Sequence, residues 1–512
     1  MQEGSRKIVI IGGGIAGLCA GAYAQQCGYQ TEILEMSDFP GGLATSWRRH
    51  GYTFELCLHW LLGSKPGGDL NTQWREVFDI DHLTFVDQPE FVRLENEHGE
   101  SLSVPTSIDR LEREWCERSP RDIPAIRGFV RDLRTLSRFR IPDPTAAWPA
   151  RLGALLADAS CLPLLRRLSR QSARQYGDRF HDPLLRSFFG DGDLAQISAI
   201  ALLLSLAWMS AGNAGYAVGG SQAIVRGILE RFTRLGGQVR CRAKVERILV
   251  DRDTAVGVQL VGGETIPADW VISAADGYAT VYDLLGGRYT SPAIHKTFDN
   301  METFPSFLQV SLGVAADLSL EPAMLTRLLA SPISIDPGTE QRELSFRFFH
   351  FDPTFAPEGK TAVTCFLPTR NYDYWRHLAE HNPDRYQAEK DRVAQAVVGV
   401  LEVHHPGLCD RIEVVDVSTP ATVIRYTGNW KGSMEGWFPV PSVSFRPLPN
   451  TLPGLRRFYR VGQWISPGGG LPSGLMTARP AIQAICRQDH VPFLPAQRTH
   501  PRPVRHWRLR TP

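Results

Sequence analysis

Two glycine-rich stretches carry the residues whose type and spacing can do chemistry. The first is Gly12-Gly13-Gly14-Ile15-Ala16-Gly17. Bare main chain at the start of a helix presents unpaired N–H groups and the positive end of a dipole, which together grip phosphate. Each glycine has a separate duty in such a turn. Gly12 allows the tight bend, Gly14 lets a pyrophosphate approach the backbone, and Gly17 lets helix and strand pack closely. Glu35 follows roughly 20 residues on, where an acidic side chain binds ribose hydroxyls and disfavours a 2′-phosphate. The second stretch is Pro467-Gly468-Gly469-Gly470-Leu471-Pro472-Ser473-Gly474. It too offers bare backbone at a helix start, suited to stabilising negative charge that develops on a bound electron-rich ring.

Such loops work only where regular elements hold them. Lys7–Ile11 is a short β-branched apolar run, read as a strand buried on both faces, and it feeds directly into the first glycine turn. Leu18–Cys27 has helical spacing of small and apolar residues, Gly28 stands where a helix closes, and Thr31–Leu34 forms the next strand. A glycine turn alone is common and is often merely structural. Strand, turn, helix, strand and terminal acid in this order read as a complete dinucleotide-binding βαβ unit. Near the other end, the strand Phe458–Val461 leads through Gly462-Gln463-Trp464 to the second glycine stretch, and a helix continues through Met476, Ala478, Ile482 and Ile485.

Between these ends, Gly219-Gly220-Ser221 opens an amphipathic helix to Leu235. Strands Val239–Arg242 and Val245–Val250, a hairpin over Ala255–Ile266 and a buried strand Trp270–Ser273 follow. Phe307–Val314, Leu344–Phe351 and Thr361–Leu367 predict a second sheet, with a helix over Asp384–Leu401. Glu112–Arg140 and Leu152–Tyr176 have helical spacing with basic faces, separated by Pro142, Pro144 and Pro149. The fold class is α/β, and the resemblance of the glycine-loop ends and of the Gly219–Ile248 run to a known dinucleotide-binding superfamily implies a discontinuous Rossmann-like domain assembled from 1–105, 215–290 and 440–512. A second, α+β domain takes 106–214 and 291–439, and its mainly helical part is a candidate for membrane association.

Composition bounds the possibilities. A chain of 512 residues exceeds one ordinary domain. With 43% hydrophobic and 21% charged residues it reads as soluble and globular. Lysine plus arginine (56) nearly cancels aspartate plus glutamate (54), so the net charge of +2 argues against nucleic acid as a partner. Arginines crowd the stretch from Arg110 to Arg186 and the tail at Arg498, Arg502, Arg505, Arg508 and Arg510. They read either as a solvated face and a frayed terminus or as attraction to anionic lipid headgroups. Ile197–Met209 is strongly apolar but shorter than the roughly 20 residues that span a bilayer, which makes it a buried or membrane-dipping helix. Nine cysteines without a CxxC pair indicate neither a disulfide framework nor a zinc site and fit a reduced cytoplasm. Met1–Lys7 is polar and runs straight into a strand, leaving no room for a signal peptide. No metal-ligand cluster, nucleophile triad or specific protein partner is expected.

After Glu35 come Phe39-Pro40-Gly41-Gly42-Leu43-Ala44-Thr45-Ser46-Trp47, then Gly51-Tyr52-Thr53-Phe54-Glu55 and His59-Trp60. This resembles the second signature of the FAD-dependent amine oxidase and phytoene desaturase superfamily. The run GGSQAIVRGIL…RLGGQVRCRAKVERI is similar to the return of the chain into the FAD domain there. VGQWISPGGGLPSGLMTARPAIQAICR, with GGLATSWRRHGYTFE, resembles the phytoene desaturase, carotene isomerase and retinol saturase group over nearly the whole chain. The resemblance implies a glutathione-reductase-type FAD domain. It places FAD contacts at Gly12, Gly14, Ala16, Gly17, Glu35, Gly42, Leu43, Val245, Gly462, Gly470 and Leu471. Relatives often carry glycine near Cys57, so a thiol beside the flavin-facing segment is a departure that would alter ring packing.

Hydride transfer is the flavin's own reaction, while desaturation also needs a proton acceptor. His59 is a candidate because imidazole titrates near neutrality; the competing reading is a packed structural histidine. Arg425-Tyr426-Thr427-Gly428-Asn429-Trp430, followed by Gly432-Ser433 and Gly436-Trp437, resembles the carotene isomerase and retinol saturase branch. That resemblance implies approach to the flavin or cavity, where Tyr426 would polarise or shuttle a proton. An ordinary loop packed by aromatics competes with it. The expected function is FAD-dependent oxidation or reduction of a carbon–carbon bond in a lipophilic isoprenoid or polyene-like molecule, in the cytoplasm or peripherally on a membrane. The alternatives are redox-neutral cis–trans isomerisation with reduced FAD, amine oxidation, and a non-catalytic prenyl-binding escort.

Overall fold

Alternation along the first strand decides how the nucleotide-binding half is layered. In Lys7–Ile11, Ile8 and Ile10 point into a core shared with Ile33, Phe232, Ile482 and Ile485. Val9 and Ile11 point the opposite way, into a core with Leu34, Val258 and Trp437. The strand is thus covered on both faces, as a central parallel strand must be. In the computed structural model, which describes residues 6–141, 153, 159–190, 193–441, 443, 447–495 and 506–508, this strand is the middle of a five-stranded parallel sheet. The order is Gln238–Arg240, Gln30–Leu34, Lys7–Ile11, Trp270–Ser273 and Phe458–Arg460. Register is continuous across the centre, with Ile10 beside both Ile33 and Ile272. Three widely separated stretches of chain supply these strands. Helices Ile15–Gln26, Gly220–Arg234 and Leu471–Asp489 cover one face, and a three-stranded antiparallel sheet (Val245–Asp251, Thr254–Leu260, Thr265–Pro267) covers the other.

A second, seven-stranded mixed sheet has the order Ile412–Ser418, Ser306–Val314, Thr361–Thr369, Thr339–Phe348, Met324–Asp336, Glu90–Glu95 and Ser101–Pro105. Period-2 alternation again assigns the faces. Leu308, Val310, Leu312 and Val314 pack with Val393, Val397 and Leu401 of the helix Pro383–His404. Phe307 and Gln309 face the other way, toward Leu56 and Glu55. Helices Ile108–Arg118, Ile123–Leu136, Pro183–Gly190 and Ala199–Ser210 form a separate bundle around the stacked rings of Trp115 and Phe129, 5.3 Å apart.

Two expectations change. Glu90–Glu95 and Ser101–Pro105 belong to the second sheet rather than to the nucleotide-binding half, because Leu94 pairs with Thr326 in parallel and Arg327 meets Glu95 at 2.6 Å. The strands Met324–Asp336 and Ile412–Ser418 are additions to the three read from the sequence. The apolar run Ile197–Met209 becomes the helix Ala199–Ser210, whose Ile200, Leu203 and Leu206 are buried in the bundle. Among the described residues no helix is long and apolar enough to cross a membrane. The break at Pro142–Pro149 and the tail arginines Arg498, Arg502, Arg505 and Arg510 lie outside the described residues.

Candidate functional site

The first glycine turn is built so that no side chain intrudes. Gly12 donates its N–H to Leu34 O at 2.8 Å and bends back with φ +95°. A Cβ on Gly17 would lie 2.0 Å from Gly12 O, so only glycine lets the helix Ile15–Gln26 begin here. That helix has no side-chain cap, leaving its first N–H groups to a ligand. The second signature lies directly alongside: Gly41 N–H donates to Gly13 O at 2.9 Å, Gly14 bridges Gly41, and Gly42 packs against Gly14. Glu35 is buried at the end of the second strand, with its carboxylate accepting from Gly13 N–H (2.7 Å) and Ser37 N–H (2.8 Å). Its carbonyl accepts from Ala243 N–H at 2.8 Å, which brings the start of the Val245 strand beside the acid.

The C-terminal loop closes on the same place. Gly462 donates to Thr477 Oγ1 at 2.7 Å, and a Cβ on it would stand 3.2 Å from Ala16 Cβ. Gly474 lies against Ile15 and Ala16, and Gly470 caps the helix Leu471–Asp489 without a side chain. Two uncapped helix starts therefore converge. Gly12, Gly14, Ala16, Gly17, Glu35, Gly42, Gly462 and Gly470 surround this point. Leu471 packs on the adjoining core, and Val245 is buried in its strand.

Leu43 belongs to a small apolar cluster with Leu56, Cys57, Phe307, Phe366 and Met434. Phe307 and Phe366 stack at 4.1 Å, and Leu43, Cys57, Phe366 and Met434 are only partly buried. Glu55 holds this wall in place. Its buried carboxylate accepts from Cys57 N–H (3.1 Å), Leu58 N–H (3.0 Å), Ser221 N–H (2.9 Å) and Ser221 Oγ (2.7 Å), while its carbonyl accepts from Gln309 Nε2 at 3.0 Å. Elsewhere, a cavity of about 220 Å³ opens at Leu62, Phe139, Trp208, Met476 and Pro480.

This architecture has known counterparts. A family model described as flavin-containing amine oxidoreductase matches residues 15–486. The chain belongs to this family. FAD is its cofactor, and the bare double-loop cradle fits that group: side chains are excluded where the diphosphate must approach, and the buried acid stands at the ribose position. The chain is 27% identical over 495 residues to a neurosporene-forming phytoene desaturase of Cereibacter sphaeroides, covering 92% of this chain and 93% of that protein. It is 26% identical over 502 residues to the chloroplastic prolycopene isomerase of Arabidopsis thaliana, covering 92% of this chain and 81% of that one. An oxidoreductase of Methanosarcina mazei shares the fold at TM-score 0.61 and 16% identity, over 93% of this chain and all (100%) of that one.

Within this flavin-dependent oxidoreductase the titratable candidates part company. His59 sits behind the wall with Nδ1 2.9 Å from Cys57 O, so that nitrogen carries the proton. Burial, reinforced by the Arg347 guanidinium, holds its imidazolium down to about 3. A conjugate acid that strong makes a weak base at neutral pH. His59→Gln is expected to leave the pH dependence of turnover unchanged across the neutral range; loss of a neutral transition in that variant would make His59 the working group. Tyr426 is 46% exposed, its hydroxyl accepts from Arg425 Nη2 at 2.7 Å, and its carbonyl accepts from Ser37 Oγ at 2.6 Å. It stands at the Glu35 end, open to solvent, and the chemistry proposed below does not use it.

Glu435, which no sequence motif marks, lies inside the same aromatic-rich stretch. Burial pushes its carboxyl up to about 7. The structure also gathers Glu321, His404 and His405, which are distant in sequence, where no metal cluster was expected. His404 Nε2 and His405 Nε2 lie 3.4 and 3.2 Å from the Glu321 carboxylate. The Arg327 guanidinium, 3.4 Å from His404 Nδ1, adds positive charge beside them, and the group reads as an ion-pair network joining helix end to sheet.

Proposed function

We propose that this protein transfers two hydrogens to or from adjacent carbons of a lipophilic isoprenoid polyene, with bound FAD supplying the hydride acceptor or donor. The observation that carries this reading is the wall of Leu43, Leu56, Cys57, Phe307, Phe366 and Met434 beside the converging loops. A hydrocarbon offers nothing to hydrogen-bond, so it is held by apolar area, worth roughly 25 cal/mol per Å² buried. The wall orients the reacting carbons and excludes water. The uncapped helix start at Gly470 supplies N–H donors for negative charge developing on the flavin ring. The names of the two relatives, a phytoene desaturase and a prolycopene isomerase, support a carotenoid-like substrate.

The second of those names also favours redox-neutral isomerisation as the alternative. The test is anaerobic incubation of oxidised and reduced holoprotein with phytoene and with prolycopene in anionic lipid vesicles, read by mass and chromatography. A loss or gain of two hydrogens is expected. A new retention time without a mass change would establish isomerisation, and bleaching of the flavin by amines alone would sink both readings. The protein is proposed to work in the cytoplasm at a membrane surface, with Arg127, Arg131 and Arg138 on one side of the helical bundle facing anionic lipid. Failure to sediment with the same vesicles would remove that part.

A further inference from the structure

We propose that Glu435 is the proton-transfer group of this site, the acceptor in dehydrogenation and the donor in the reverse direction. This rests on the reading above and deepens it. The placement is fixed by backbone. A Cβ on Gly469 would meet Glu435 O at 2.4 Å, so residue 435 lies directly on the second glycine loop. Gly468 N–H donates to Trp437 O at 3.2 Å, and Gly436 O accepts from Phe304 N–H at 2.8 Å. The same strip is laced to the loop through Trp437 Nε1 to Trp464 O (2.9 Å) and Trp464 Nε1 to Asn429 Oδ1 (3.0 Å). Residue 435 therefore cannot drift from the flavin-binding loop.

Its side chain is the unusual part. Among the described residues, no hydrogen bond or ion pair engages the Glu435 carboxylate, although the residue is only partly exposed. The charge of Glu435 reaches Cys57, across the wall that Met434, its sequence neighbour, helps to form. An unpaired carboxylate in apolar surroundings is costly and is found chiefly where a site uses it. The other ionisable groups of the wall are held neutral or committed: burial pushes the Cys57 thiol well above its ordinary range. Glu55 accepts four hydrogen bonds, His59 is tied to Cys57 O, and the Arg347 guanidinium donates to Leu58 O at 2.8 Å. The Pro467–Gly470 loop contributes no ionisable side chain. Among the described residues of the wall and the second glycine loop, Glu435 alone combines free lone pairs, contact with that loop and an apolar neighbour in Met434.

The step balances as follows. One substrate carbon loses its hydrogen with both bonding electrons to oxidised FAD. The adjacent carbon loses its hydrogen as a proton to the Glu435 carboxylate, and the electron pair of that C–H bond becomes the new π bond. The carboxylic acid then gives the proton to water. Acceptance requires the ionised form, so dehydrogenation should rise as pH passes about 7 and the reverse reaction should fall.

The test uses FAD-loaded wild type, Glu435→Gln and Glu435→Asp. In resting protein without substrate, the wild-type visible spectrum should show a one-proton transition near pH 7, absent in Glu435→Gln, which remains yellow. With phytoene as probe under anaerobic conditions, bleaching should slow by about 100-fold or more in Glu435→Gln and be partly restored in Glu435→Asp. A wild-type-like resting transition in Glu435→Gln, or bleaching within about three-fold of wild type, overturns the proposal. If phytoene bleaches no form, the function reading fails, and the resting titration still decides whether Glu435 ionises against the flavin.

Discussion

Gly17→Ala is expected to emerge from purification colourless, with FAD affinity reduced by about 100-fold or more. The added methyl carbon would lie 2.0 Å from Gly12 O and 3.1 Å from Gly12 C, both backbone atoms that cannot rotate away. Ala274 Cβ, 3.3 Å off, closes the remaining side. Relief therefore requires the helix Ile15–Gln26 to lift from its strand. That motion withdraws Ile15 and Ala16 from Gly474 and Gly462 and misaims the free N–H groups that hold the diphosphate. Overpacking of this kind costs about 1–3 kcal/mol or more, and each 1.4 kcal/mol is about tenfold in binding. Gly28→Ala is the matched control. Unlike Gly17, Gly28 is left-handed, at φ +86°, but nothing lies within 4 Å of its missing Cβ, so only the backbone penalty of about 1–2 kcal/mol applies. It should stay yellow. Equilibrium titration with FAD, read at the flavin's visible band, separates the two variants, and near-equal affinities would mean that the turn does not grip the diphosphate.

What was legible in the sequence was local in cause. The strand Lys7–Ile11, the turn, the helix, the strand Gln30–Leu34 and Glu35 follow one another within a single βαβ unit, so neighbouring residues carry the whole signal. The strand Met324–Asp336 was not legible because its middle is exposed, breaks pairing between Leu328 and Ile333 and contains Pro332, so neither alternation nor a continuous apolar run survives. Glu90–Glu95 alternates well enough to read as a strand, but which sheet it joins is settled by partners far along the chain. The same distinction governs the site. His59 is a candidate by residue type, yet its basicity is set by burial first and by the Arg347 guanidinium second, neither visible as a motif. Glu435 was overlooked because an acid in a loop is ordinarily solvated. Its isolation comes from Gly469 and Cys57, which folding alone brings near. The one available signal was a single carboxylate among Trp430, Met434, Trp437 and Phe438.

Glu55→Ala should be the most destabilising side-chain truncation at the site, lowering stability by about 3–5 kcal/mol. The residue joins three units: its own strand Tyr52–Glu55, the start of the helix Gly220–Arg234 through Ser221, and the second sheet through Gln309. Gly220 is part of the same device, since a Cβ there would stand 2.2 Å from the Glu55 carboxylate. Truncation leaves the N–H groups of Cys57, Leu58 and Ser221 without an acceptor, and a buried unpaired donor costs about 1–3 kcal/mol. Glu55→Gln keeps the shape but turns an NH2 group toward one of those donors, so an intermediate loss is expected. The sign of the pH effect also follows. Burial raises the Glu55 carboxyl despite its four donors, so the folded protein binds protons more readily than the unfolded chain there. Its contribution is greatest below the ordinary carboxylate range, about 4.3, and declines as pH climbs toward the raised value. Urea midpoints of wild type and both variants at acidic and neutral pH measure all of this. A Glu55→Ala midpoint matching wild type would show that the Cys57–Leu58 segment is held by the apolar wall alone, and the carboxylate would lose its place as the joint between that segment and the start of the helix Gly220–Arg234.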